Sequence, residues 1–190
     1  LRRLLPACLL ALLAACAGRS QTVQSDWEAQ HQGELVREAA DAAPAPELPP
    51  YPRRENLTEF FVSSASDFRF FVDRSSIGVK DRVVRYVLVA RSPSGVDNVS
   101  FEAINCAAGE YRIYARGHSD GTWTSRPGGW QKIVPRSVQR WHNALYAEFF
   151  CPAGVAIADA AEGARALERG ANPLSAAPNS KGAVGNSPAF

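Results

Sequence analysis

The alternation of apolar and polar side chains divides the chain into a strand-rich middle and two flanks with little core material. Phe60-Phe61-Val62 and Phe68-Arg69-Phe70-Phe71-Val72 read as short strands, separated by turn-forming residues from Ser63 to Asp67. The run from Arg82 to Ala90 is apolar on nearly both faces, which predicts a central strand with a covering layer on each side. Ser92-Pro93-Ser94-Gly95 turns the chain back. Val99-Ser100-Phe101-Glu102-Ala103 then alternates as a strand with one wet face does, and continues through Ile104 to Cys106. In Glu110 to Arg116, Tyr111, Ile113 and Ala115 share one face of a further strand, and the sheet pattern ends at the polar loop Gly117 to Gly121. From Val138 to Cys151 the period lengthens: Val138, Trp141, Leu145 and Phe149 lie on one stripe of a helix that Pro152 terminates. These elements predict an α+β fold, an antiparallel sheet of about five strands covered by a C-terminal helix, with a disordered N-terminal linker and C-terminal tail.

The N-terminal flank carries its own pattern. Arg2 and Arg3 precede an apolar run from Leu4 to Leu13, about half the roughly 20 residues needed to cross a bilayer as a helix. A charged start, a short apolar run and a small-residue exit predict an export signal over residues 1–15. Leu13-Ala14-Ala15-Cys16 also has the form of a bacterial lipoprotein box, predicting cleavage before Cys16 and lipidation there. Two or three acyl chains make a stable anchor, and Ala17 in the second position points to the outer membrane, facing the periplasm. An ordinary secretory site at Ala15-Cys16-Ala17, giving a soluble periplasmic protein, stays open as the alternative. Residues 16–52 read as an Ala/Pro-rich spacer containing a short helix from Asp26 to Ala40, with Trp27 docked on the domain. The folded domain is expected over 53–152, and 153–190 as a weak alanine-rich helix to about Arg169 followed by a disordered tail.

Composition narrows the function classes. Lys and Arg number 21 against 19 Asp and Glu, and loss of Arg2 and Arg3 with the signal leaves the charges balanced. That balance argues against nucleic acid as a partner. Of four cysteines, Cys8 leaves with the signal and Cys16 takes lipid, so Cys106 and Cys151 form the one pair in an oxidising compartment. A disulfide between them would staple the end of an inner strand to the covering helix. The competing reading is a nucleophilic Cys106 served by His118 or His142, without a cysteine-hydrolase signature around it.

The order Phe71-Val72-Asp73, Asp81-Arg82-Val83-Val84-Arg85-Tyr86, Asn98-Val99-Ser100-Phe101-Glu102 with Cys106, then Trp123, Trp130 and Phe149-Phe150-Cys151 resembles the CNP-like family of exported proteobacterial proteins. The resemblance covers roughly residues 50 to 152. It implies a secreted or lipid-anchored single domain and supplies no catalytic residues.

Candidate chemistry is sparse. Asp73, Asp81 and Glu102 are the acids nearest the sheet, and a pair of them about 5 to 10 Å apart would suit acid/base work on a glycan. Turn capping by Asp73 and Asp81, and a cross-strand ion pair of Glu102 with Arg85, are the simpler accounts. His118 and Asp120 are two metal-capable side chains without a third. Trp123 and Trp130, beside Gly128-Gly129, offer an aromatic surface for a sugar face or a peptide, or else serve as core. No G-x-S-x-G, H-E-x-x-H or phosphate loop is present, and no cofactor or metal is expected. The expectation is a non-enzymatic envelope-binding domain with a protein or glycan partner; a cell-wall glycan hydrolase using Asp81 or Glu102 is the alternative.

Overall fold

A computed structural model describes residues 27, 28, 30–39, 41, 45–126, 128–135 and 140–175. Among these, a helix over residues 30–39 (α1) precedes strands β1 (Leu57–Phe60), β2 (Arg69–Lys80), β3 (Val83–Arg91), β4 (Asp97–Asn105) and β5 (Glu110–Gly117). Two short strands, β6 (Trp123–Ser125) and β7 (Gln131–Lys132), follow, then α2 (Arg140–Ala144) and α3 (Ala160–Arg169). The strands form one antiparallel sheet in the order β1-β2-β3-β4-β5-β6, with β7 also pairing β5. Each strand is joined to the next by a short reversal, so the sheet is a meander. The sheet therefore does not end at residue 117: β6 lies against the C-terminal half of β5 and β7 against its first two residues.

Local chemistry sets these boundaries. β2 and β3 are linked by Asp81 and Arg82, both in the left-handed region (φ 53° and 62°), whose backbone twist matches that of a two-residue hairpin. Midway along β2 the register shifts between Asp73 and Gly78. There the Ser76 hydroxyl donates to the Asp73 carbonyl and accepts the Val87 N–H at 2.7 Å, repairing the ladder across the bulge. Asp73 Oδ1 takes both the N–H and the hydroxyl of Ser75, the capping role expected of it.

The sheet is covered on both faces. On the first, Phe60, Phe70, Val72, Tyr86, Leu88 and Ile104 pack under Leu145, Phe149, Phe150, Ile157 and Leu167. The helical stripe of Trp141, Leu145 and Phe149 does face this core, while Val138 lies outside the described residues. After α2 the helix widens into π geometry over Leu145–Phe150, with the Cys151 N–H reaching the Tyr146 carbonyl at 3.0 Å. That turn buries the neighbours Phe149 and Phe150 together, each such side chain stabilising by about 1.5–3 kcal/mol. It delivers Cys151 to Cys106 at the end of β4, where the two form a disulfide with Cα atoms 5.4 Å apart. α3 is capped by Asp159, whose carboxylate accepts the Glu162 N–H at 2.8 Å, and ends at Gly170 (φ 83°). Its Gly163 lies against Ile157 and Ile77, with no room for a β-carbon. Packing thus continues past residue 152, as far as Asn172, which is 1% exposed.

On the second face, Phe71, Val87, Val89, Val99, Phe101 and Ala115 form a separate apolar cluster. Its cover is the N-terminal strap. The Asn105 amide donates to the Gly33 carbonyl, Arg112 bonds Asp41 at 2.6 Å, and Arg37 approaches Glu110. Tyr51 and Leu57 pack on the cluster, and the Trp123 indole donates to the Pro49 carbonyl at 3.0 Å. The described residues of the stretch read as a spacer, within 30–52, thus make contacts with the sheet. Trp27 departs from expectation too: it is 47% exposed and stacks on His31 of its own helix rather than on the domain.

Candidate functional site

Ser100 and Glu102, read from sequence as the wet positions of β4, are 1% and 0% exposed. They project to the first face, which the Arg140–Phe150 helical segment covers. Glu102 stands opposite Tyr86, whereas Arg85 stands opposite Ala103 and so points to the other face. The expected Arg85–Glu102 pair is therefore absent, because a one-residue change of register exchanges the faces. The carboxylate instead accepts hydrogen bonds from the Ser100 hydroxyl (2.6 Å), His142 Nε2 (2.8 Å) and the Tyr86 hydroxyl (3.1 Å). The His142 ring lies flat against Tyr111, centroids 3.6 Å apart, and its Nδ1 is buried without a partner.

These contacts set the electrostatics. Burial pushes the Glu102 carboxyl up, but His142, the Ser100 hydroxyl and the Arg116 guanidinium together outweigh it, so its pKa lies below the ordinary value. Burial, reinforced by Glu102, holds the Tyr86 phenol well above its own. The carboxylate is thus anionic and its oxygens are engaged, a structural knot at the centre of the first face.

Beyond the knot the same face opens into a groove of about 860 Å³. Among the described residues the helical cover begins at Arg140, while the sheet runs on for two more rows: Leu88, Ser100 and Arg116, then Phe70, Ala90 and Asn98. Those residues form the floor. One wall is the loop from Val62 to Phe68, and the other is the first turn of α2, Arg140 and Trp141. Phe68, Phe70 and Trp141 make a run of rings, with Phe70 stacked on Trp141 at 5.4 Å. Arg140 reaches the Ser63 hydroxyl at 3.3 Å, and neither Arg116 nor Arg140 makes an ion pair among the described residues. Asp67 is the one carboxylate among the described residues of the lining.

The residues singled out from sequence fall elsewhere. Asp81 occupies the exposed hairpin turn, and Asp73 is buried on the second face, so neither faces Glu102 across a shared space. Asp120 closes its own loop by accepting the Thr122 N–H and hydroxyl, and His118 bonds the Thr124 hydroxyl at 2.7 Å. No group of three metal-capable side chains is present among the described residues. Trp123 stands opposite Gly117, while Trp130 adjoins Gln131, the partner of Tyr111. They sit at opposite ends of β5, on the order of 15–20 Å apart along the strand. Trp123 is occupied by Pro49 and Tyr51; Trp130 is half-buried, with its indole nitrogen unpartnered. Cys16 lies outside the described residues. Sequence reading did not find Ser100, Arg116, Arg140 or Trp141 as one surface; the available signal was parity, since Ser100 and Glu102 share the face of Ile104 and Cys106.

Fold and site together define a small single-sheet α+β domain with a side groove and no helix, among the described residues, long and apolar enough to cross a membrane. The sequence model of the CNP1-like family matches residues 38–168, and the chain belongs to that family. The match begins inside α1 and ends inside α3, so it takes in the strap as well as the helical cover. Neither curated proteins nor solved structures give a match.

Proposed function

We propose that this chain is a non-enzymatic ligand-binding domain of the bacterial envelope, exported by its N-terminal segment, acylated at Cys16 on the outer membrane and facing the periplasm. The observation that carries the binding half is the groove itself: two arginines without ion-pair partners among the described residues stand beside a wall of aromatic rings. A concave surface with apolar walls and a few unspent charges is what ligand recognition requires. The topogenic half rests on Arg2, Arg3, the Leu4–Leu13 run and the Leu-Ala-Ala-Cys box, and the Cys106–Cys151 disulfide suits an oxidising compartment.

The hydrolase alternative asks Glu102 or Asp81 to face a substrate. Glu102 is enclosed by Ser100, Tyr86 and His142, and Asp81 lies at a turn away from the groove, so the binding reading is the better supported.

Native mass spectrometry of the protein extracted from its own envelope tests both halves. The expected species starts at an acylated Cys16 and carries a non-covalent small-molecule adduct that the Arg116→Gln/Arg140→Gln double variant lacks. Retention of residues 1–15 would overturn the export reading, and an adduct that survives in the double variant would overturn the groove.

A further inference from the structure

We infer that the ligand of this groove is an acidic saccharide, its carboxylate held by Arg116 and its ring face laid on Trp141. The inference rests on the groove being the binding site and adds the chemical class of what fills it. Three features of the lining converge on that class.

The first is charge. Arg116 shares its row with buried Ser100, and the nearest buried carboxylate, Glu102, is already hydrogen-bonded by Ser100, His142 and Tyr86. The positive charge of Arg116 acts on Glu102 without pairing with it, so the guanidinium retains its planar set of donors. With Arg140 on the α2 wall and Asp67 the one acid among the described lining residues, that lining is net cationic. A carboxylate is the group that a guanidinium fork binds with two parallel bonds.

The second is the ring wall. Phe68 and Trp141, backed by the buried ring of Phe70, present flat apolar surface whose faces carry negative quadrupole charge, complementary to the polarised C–H bonds of a pyranose face. The third is the distribution of polar groups between the rings and the arginines. Ser63 and Ser66, whose hydroxyl oxygens accept from Ala65 N–H and Arg140 and from Phe68 N–H respectively, keep O–H donors in the loop wall, and Asn98, whose amide nitrogen donates to the Ala90 carbonyl, keeps its side-chain oxygen as an acceptor on the floor. An acyl chain laid here would cover those groups without replacing the water they lose, at a cost for each. Sugar hydroxyls, which donate and accept, satisfy them. An acidic lipid is therefore disfavoured relative to an acidic sugar of the same charge.

The test is calorimetric titration of the full chain with four probes: N-acetylmuramic acid, neutral N-acetylglucosamine, decanoate and inorganic phosphate. The expected result is binding of the acidic sugar, with the neutral sugar weaker by about tenfold or more, the scale of one charge-assisted bond. Arg116→Gln should erase that difference, and Trp141→Ala should weaken both sugars; thermal melting checks that each variant is folded. Binding of decanoate or phosphate in place of the acidic sugar, lost in Arg116→Gln, overturns the saccharide and leaves the groove reading intact. Acidic-sugar binding indifferent to both substitutions overturns the groove. Equal binding of the two sugars, or binding of no probe, overturns the inference.

Discussion

The two faces of the sheet are closed by different means. The first is sealed by chain that follows the strands, contains a buried carboxylate with three hydrogen-bond donors, and is locked by a disulfide. The second is flanked by chain that precedes the strands, sets buried Asp73 and Asn105 beside an apolar cluster, and is held at its margin by Arg112–Asp41, Arg37–Glu110 and the Trp123–Pro49 hydrogen bond. An ion pair as open to solvent as Arg112–Asp41 contributes about 0–1 kcal/mol, and Tyr51 adds apolar contact with the cluster. Polar burial on the first face is a poor route to stability but a strong way to fix one arrangement of side chains. It stands directly behind the groove, where a fixed arrangement matters most.

The contrast is sharpest if the disulfide is removed. Closing a 45-residue separation contributes roughly 4 kcal/mol in the chain-entropy model. Reduction, or the Cys106→Ser/Cys151→Ser pair, should lower urea stability by that order and release the first-face cover, with Phe149 and Phe150 gaining hydrogen exchange before Phe101. Uniform loss across both faces would break the comparison.

Glu102→Gln should cost about 2 kcal/mol, because one of the donors from His142, Ser100 or Tyr86 then meets an amide N–H. The substitution also carries a pH signature. A carboxyl whose folded pKa is depressed stabilises the fold above its unfolded pKa, near 4.3, and that contribution fades as pH falls through the lower folded value. The stability gap between wild type and Glu102→Gln should therefore be widest near neutral pH and shrink below about pH 4.3 in chemical-denaturation series. A gap that grew on acidification would contradict the ionised assignment.

On the second face, Gly117→Ala would set a β-carbon 2.8 Å from the Tyr51 ring and 3.0 Å from Val99. The expected cost is about 1–2 kcal/mol, with faster proteolysis within residues 45–52 as the strap lifts. The groove should be unaffected. Smallest of all, Arg116→Gln should change stability by no more than about 1 kcal/mol, since the guanidinium has no ion-pair partner among the described residues and acts on Glu102 only through space. A larger loss on melting would show that Arg116 is structural.

How far the fold is legible in sequence follows from the range of the forces involved. β3 announces itself by apolar residues on both faces, because that pattern is local; in β5 the expected shared face holds for Tyr111 and Ile113 only, since a bulge opposite Phe101 and Glu102 turns Ala115 to the second face, which a period of two does not foresee. The Cys106–Cys151 pairing was readable from cysteine arithmetic. Ser100 and Glu102 misled, since polar alternation suggests a wet face unless the donors that satisfy it are known, and His142 lies forty residues downstream. β6 and β7 are too short to carry a period. The groove is the least legible part: its rows come from strand register, its walls from a loop and one helical turn, and its unpaired arginines look like any surface charge until the partners are placed.

The strap also gives the molecule a polarity. Gly33 is bonded to the sheet on its second face, and the cleft opens on the first. If the chain is anchored at Cys16 as proposed, tension on the anchor would draw the strap side toward the bilayer and turn the cleft away from it.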